Sequence, residues 1–532
     1  MSGPHPSTLP FHSFQRIATG LSGAVCTSQP LASGAGLEML RRGGNAFDAA
    51  IAAAAVLAVV EPMMSHLGGD VFMVVYPARE GRTWALNGSG NAPREATPDL
   101  YPNGMPEHGP LTAAVPGAVH GWCEASRRWG SLPLRDLLQP AIEYARDGFP
   151  LGPRTSSVLR EMSPVLAQFP YSKEQFLSGD TQVGAVLKQP GLARTLEAVA
   201  EGGAEAFYTG EVAREIVRSV REQGGVFSEE DLAGHCSTVQ PPISTSYRGY
   251  EVHGQPPVSQ GHILLQELNL VEPFDLAAMG PLTPAVLHVL IEAKKLAFAD
   301  RHRYLADPAH VEVPVEWLLS KEYARERAGL IDQERANPQP VAGSRHAEGT
   351  DTTYLAAADA EGNAVSWIQS VFGHFGSGVV AGHTGVLLNN RMRGFTLEPG
   401  HPNVVAPLKR PAHTLNAYLV LRDGRPWVIG GTPGADYQVQ TNLQIITHLI
   451  DFGMNVAEAN DAPWWASETG NRVVVEDRMP DGAVQGLRQL GHEVGTLAPW
   501  GGGRTVQLIQ RAPGGVLLAS SDVRAGGHAA VW

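Results

Sequence analysis

Hydrophobic and polar positions alternate between helix-like and strand-like stretches along the whole chain. The longest apolar run, Ala49 to Val60, is bounded by Asp48 and Glu61. At about a dozen residues it falls short of the roughly 20 that a bilayer span needs. It therefore predicts a buried, Ala-rich helix from about Ala46 to Val60. A helix over Leu31 to Arg42, stopped by Gly43-Gly44, precedes it, and a strand from Val71 to Tyr76 follows. Further helices are predicted after Val115-Pro116-Gly117, over Leu134 to Asp147, and within Glu205 to Leu232. In the last of these, Ser228 reads as an N-cap followed by acidic first-turn residues. Tyr247 to Tyr250 begins a strand, and Pro256 to Gly261 is a tight turn ahead of a helix. A long helix near Ala285 to Leu305 ends in ADRHRYLADP, with its charged residues expected on a solvated face. Apolar runs at Tyr354 to Ala358 and Ala364 to Ser370 flank Asp359 to Asn363, a strong hairpin signal.

The chain has 532 residues, enough for a large core, and carries a net charge of −13. That balance disfavours nucleic acid as a partner, because phosphate binding needs a basic face. Cys26, Cys123 and Cys236 fit neither a metal spacing nor an even disulfide set and are expected as small core residues. No His-Glu-x-x-His or comparable cluster is present, so no metal or other cofactor is expected. A Gly-x-Ser-x-Gly elbow is also missing, which disfavours a Ser-His-Asp hydrolase. No basic segment followed by an apolar one opens the chain, so a cytoplasmic location is expected, with no membrane partner.

Residues 336–351 (ANPQPVAGSRHAEGTD) have the composition of an exposed loop and end at Thr352-Thr353. A hydroxyl residue that opens a strand directly after a cleavable loop suits an N-terminal nucleophile, whose own freed amine serves as its base. The same pattern also fits an ordinary strand after a linker. The stretch TTYLAAADAEGNAVSW, however, resembles the start of the small subunit of the gamma-glutamyltransferase family. The resemblance extends through GGNAFDAA and the Leu-Gly-Gly turn near the N-terminus, Leu111 to Phe149, ADRHRYLADP and the closing Ser-Asp-x-Arg.

The resemblance implies an α+β fold, the four-layer αββα sandwich of N-terminal-nucleophile hydrolases. It also implies self-cleavage into a large subunit, 1–351, and a small one, 352–532, which remain partners; a dimer of such heterodimers is a further expectation. Thr352 would be the nucleophile, with Thr350 and Thr353 as rivals, and Ser370 would hold the new terminus. Gly434 and Ala435 would form the oxyanion hole. Substrate contacts would come from Ser89, Phe372, Arg391, His413 and Thr414, all of which depart from the glutathione-cleaving pattern. Ser89 stands where those enzymes carry a carboxylate-gripping arginine, and Arg391 and Gly394 replace the residues that hold an ammonium. A shorter loop over Phe395 to Lys409 implies an open site. These departures suggest a small-molecule amide with an acidic, ammonium-free acyl group, glutaryl- or oxamate-like. Arg391 either faces the pocket or turns away, to solvent or to an Asp. Two alternatives stand beside this reading: a true gamma-glutamyl hydrolase or transpeptidase, and a non-processing binding protein of the same fold.

Overall fold

The computed structural model describes residues 9–14, 16–338, 351–502 and 504–532. Two antiparallel seven-stranded sheets face each other. The first runs His528–Val531, Gly23–Thr27, Asp351–Asp359, Ala364–Phe372, Asp70–Tyr76, Trp84–Gly88 and Thr238–Gln240. The second runs Ala18–Gly20, Leu517–Ser521, Gln507–Arg511, Arg425–Gly431, Tyr418–Arg422, Tyr250–Gly254 and Ile243–Tyr247.

Side-chain alternation sorts each strand between two layers. In the first sheet Leu355, Ala357, Val365, Trp367, Val71 and Val75 pack against the helix Ala46–Val60 and its neighbours. The intervening Tyr354, Ala356, Ala358, Ala364, Ile368, Phe72 and Val74 meet Leu419, Ile429, Ile509 and Ala519 of the second sheet. On the far side, Tyr418, Val420, Val428 and Leu508 pack against Gly261–Val271, Pro284–Tyr304 and Tyr437–Ile450. The result is the expected αββα sandwich, with one apolar core per interface. Every residue of Ala46–Val60 is buried. Its N-terminus is closed by an Asn45–Asp48 capping box and by Asp359, whose Oδ2 accepts from Ala46 N–H at 2.8 Å. The hairpin turn therefore also caps a helix. Among the described residues, no helix is long and apolar enough to cross a membrane.

The sheets meet closely near the start of the strand Asp351–Asp359. Ser366 Oγ lies 2.8 Å from the Tyr354 hydroxyl and accepts from Tyr418 N–H at 3.1 Å, a tie across the sandwich. A Cβ on Gly431 would lie 2.3 Å from the Tyr354 ring, so only glycine fits there.

Two expectations are corrected. Glu292, Lys294, Lys295 and Asp300 of the long helix are buried, not solvated, because the helix is sandwiched between Gly261–Val271 and the C-terminal elements. Cys26 is buried, but Cys123 is only partly so and Cys236 is exposed, on the loop after Glu229–Ala233.

Glu267, fully buried, accepts no hydrogen bond among the described residues. Burial raises its carboxyl from 4.5 to about 8, against the pull of Lys294 and Arg301. Between those values the folded chain holds a proton that the unfolded chain releases, so stability falls as pH rises through the window. Glu267→Gln should remove that slope, gaining on the wild type by at most about 1.4 kcal/mol per pH unit. Unfolding measured at pH 5, 6.5 and 8 checks it, and a constant difference contradicts it. Gly431→Ala should destabilise the fold by about 1–3 kcal/mol through overpacking. Gly482→Ala, where a Cβ meets nothing within 4 Å, should instead be neutral or stabilising, and the same measurement compares the two.

Candidate active site

Polar residues line up across one end of the first sheet. Ser370 is paired with Asp70, Ser89 follows directly on the Val71–Gly88 pair, and the strand Asp351–Asp359 starts beside them. Alternation puts Thr352 on the inter-sheet face with Tyr354 and Thr353 on the opposite face. Thr353 Oγ1 accordingly donates to Glu61 Oε2 at 3.1 Å, on the helix side of the sheet. Thr350 lies outside the described residues. Thr352 Oγ1 donates to Ser370 Oγ at 3.3 Å, and Ser370 Oγ accepts from Phe372 N–H at 2.7 Å. Phe372 ends its strand with φ 83°, a left-handed backbone uncommon for a bulky residue. That turn sets its ring against the Arg391 guanidinium, 4.6 Å from the ring centre.

Arg391 opens the short helix Arg391–Gly394, and its N–H donates to Asn389 Oδ1 at 2.9 Å. Its side chain is fully buried, with Nε donating to Asp70 Oδ2 at 3.0 Å. Arg391 thus pairs with an Asp while staying inside the site. Its Nη1 and Nη2 make no hydrogen bond among the described residues. Burial pulls the guanidinium down and pushes the Asp70 carboxyl up, and the attraction within the pair opposes both. Asp70 Oδ1 accepts from Gly90 N–H at 2.9 Å, so both its oxygens are engaged. Sequence reasoning made no reading of Asp70; the available signal was a carboxylate opening an apolar, buried strand.

Ser89 is buried, its hydroxyl bonded to Asn87 Oδ1 at 2.6 Å. Its carbonyl accepts from Arg410 Nε at 3.1 Å, so a guanidinium that the sequence did not point to reaches this position from another loop. Arg94 instead reaches Asp231, at 3.8 Å, and is half exposed. It lines a cavity of about 120 Å³ with His235 and Asn91, of which Thr352 is no part. His413 stands edge-on to Phe72, ring centres 4.9 Å apart. Neither of its ring nitrogens has a hydrogen-bond partner among the described residues. Burial, together with the positive Arg391 and Arg410, drives its pKa well below the ordinary value, so it is neutral at pH 7. The Thr414 carbonyl accepts from Gln260 Nε2 at 2.6 Å, and that amide also donates to the Ala435 carbonyl at 3.1 Å. Gly434 (φ 122°) and Ala435 (φ 47°) form the turn between Arg425–Gly431 and Tyr437–Ile450. Among the described residues their N–H groups donate no hydrogen bond to the backbone.

In the uncut chain the candidate site beside the short loop, Phe395 to Lys409, is buried. Thr352, Ser370 and His413 are each at most 2% exposed. Phe395 and Val405 of that loop pack on Met392, Ala92 and Tyr101, and Lys409 ties the loop through the carbonyl of Val404 at 3.0 Å. Elsewhere, His288, Glu292 and His492 lie within metal-ligating reach of one another. Those atoms already serve each other: His288 Nδ1 is 2.7 Å from His492 Nε2, and Lys295 is 2.7 Å from Glu292.

A family model described as gamma-glutamyltranspeptidase matches residues 32–532. A glutathione hydrolase-like YwrD proenzyme of Bacillus subtilis is 39% identical over 487 residues, 89% of this chain and 91% of the relative. An acylase ACY 1 proenzyme of a Pseudomonas species is 37% identical, over 98% of this chain and 96% of its own. The crystal structure of a cephalosporin acylase from Bacillus halodurans superposes with a TM-score of 0.92 at 38% identity, covering 99% of both chains. With the αββα layers in agreement, the chain belongs to the gamma-glutamyltranspeptidase family and is an enzyme of its amide-hydrolysing kind.

Proposed function

We propose that this chain cuts itself between Asp351 and Thr352 and then hydrolyses amides whose acyl group ends in a carboxylate. The observation that carries the substrate class is the Arg391 guanidinium, fully buried with Nη1 and Nη2 unpartnered among the described residues. A buried donor left unmade costs about 1–3 kcal/mol, more when charged, so the pair of nitrogens invites a bidentate acceptor such as a carboxylate. Asp70 has Gly90 N–H on one oxygen and Arg391 Nε on the other, so its charge is already matched by a guanidinium rather than held for a substrate ammonium.

In the proposed cycle the freed Thr352 amine takes the hydroxyl proton as Oγ1 attacks the amide carbon. The oxyanion that forms is received by the N–H groups of Gly434 and Ala435. Collapse breaks the C–N bond, the amine leaves with the proton, and water cleaves the acyl-Thr352 ester; an amine in place of water would give transfer. Ser370 holds the nucleophile, and neutral His413 and Thr414 flank the acyl chain. The names of the relatives, an acylase and a glutathione hydrolase-like protein, span the two substrate readings. The gamma-glutamyl reading is the second, because Arg391 would also accept the alpha-carboxylate of that group.

Anilides of glutaric acid, gamma-glutamic acid and butyric acid separate the readings. The glutaryl anilide should be cleaved fastest. Replacing the ion pair as a unit (Asp70→Asn with Arg391→Met) should lower its kcat/KM by roughly ten- to a hundredfold and leave the butyryl anilide nearly unaffected. Faster gamma-glutamyl cleavage, or equal losses on all anilides, would overturn the assignment. Asp70→Asn alone strands a buried guanidinium and should destabilise the fold by about 3–5 kcal/mol, read by chemical unfolding.

A further inference from the structure

Behind the Gly434–Ala435 turn, one guanidinium joins segments that are distant in sequence. Arg301, near the end of Pro284–Tyr304, donates from a single nitrogen, Nη1, to Asp436 Oδ1 at 2.6 Å and to Gln260 Oε1 at 2.8 Å. The guanidinium lies over the Phe298 ring, 4.7 Å from its centre, and only 12% of the side chain is exposed. The Gln260 amide passes the link on, donating to the carbonyls of Ala435 and Thr414. Its backbone N–H donates to the His413 carbonyl at 2.9 Å. A single side chain thereby fixes both the Gly434–Ala435 turn and the segment that carries His413 and Thr414.

The turn needs such support. Ala435 keeps a left-handed φ despite its Cβ, and the preceding Gly434 is also at positive φ. A non-glycine residue held there costs of order 1–3 kcal/mol and persists only where its surroundings over-determine it. Oxyanion stabilisation depends on donors fixed before the reaction, not recruited during it.

We propose that Arg301 is a positioning residue for catalysis, holding the Gly434–Ala435 donors through Asp436 and Gln260 in the geometry that a tetrahedral oxyanion requires. The assignment rests on the oxyanion role given to that turn above. Arg301 touches no substrate; it acts through the turn. Because both its bonds leave from one nitrogen, a lysine ammonium reaching the same point would serve in its place.

The test compares wild type with Arg301→Met, Arg301→Lys and Gln260→Met, each checked by mass for the fragment starting at Thr352 and by thermal unfolding. Activity is read on whichever of the glutaryl or gamma-glutamyl anilides the wild type cleaves faster. Arg301→Met and Gln260→Met should lower kcat by about ten- to a hundredfold, the scale of a displaced or lost donor, with KM within about twofold. Arg301→Lys should recover most of the loss. Affinity for 4-boronobutanoate, which forms a tetrahedral anion on the nucleophile, should fall with kcat, while affinity for glutarate stays constant. Wild-type kcat in either methionine variant, or equal losses of boronate and glutarate binding, would overturn the proposal. Should Arg301→Met fail to fold, Gln260→Met and Arg301→Lys carry the test, and a lysine variant as impaired as Gln260→Met would count against it. A wild type that cleaves neither anilide would overturn the parent reading, and the strut with it.

Discussion

The structure depends on how closely two sheets approach at the start of the strand Asp351–Asp359. Small residues make the approach possible: Ala356, Ala358 and Ala364 on one sheet and Gly431 on the other, with the Tyr354 ring close against Gly431. With the sheets that near, the inter-sheet face at the strand ends is dry, and the polar groups there have few partners to choose from. The alternation that buries Tyr354 also aims Thr352 at Ser370, and the sheet register brings Asp70 and Ser89 alongside. The helix Ala46–Val60, buried on all sides, holds this sheet from behind and is itself capped by the hairpin turn at Asp359.

Within that dry space the charge arrangement decides what fits. An ion pair taken out of water loses solvation that its mutual attraction repays only with good geometry and further hydrogen bonds. Asp70 has that geometry, with Gly90 N–H on one oxygen and Arg391 on the other. Arg391 does not: only Nε is engaged, and its flat face rests on Phe372. That imbalance is the observation behind the proposed carboxylate-ended acyl group. His413, kept neutral by burial and the neighbouring guanidinium groups, adds hydrogen-bonding capacity without charge. Phe372 and Ala435 both hold a left-handed backbone, the kind of strain that function commonly maintains.

Much of this was legible in the chain. The hairpin around Asp359 to Asn363 and the Ala-rich helix are local patterns, set by periodicity and turn chemistry, and each lies where the sequence placed it. The resemblance at TTYLAAADAEGNAVSW selected Thr352, and strand alternation separates it from Thr353. What the sequence did not reveal was tertiary pairing. Asp70 and Arg391 are 321 positions apart, and Arg301 and Asp436 are 135 apart, so no local pattern links them. The charges of Pro284–Tyr304 looked like a solvated face because the groups that meet Lys294, Asp300 and Arg301, the Ser467 carbonyl, the Tyr323 hydroxyl and Asp436, belong to other elements. Loop length likewise says nothing of the apolar contacts that Phe395 and Val405 make.

The central claim is that this chain makes its own catalytic terminus, and the intact mass of the purified protein tests it most directly, with Thr352→Ala measured alongside. The account predicts two polypeptides from the wild type, the smaller beginning at Thr352, and one full-length chain from the variant. A wild-type protein that keeps a single full-length mass over days, or a fragment beginning at any other residue, would contradict it.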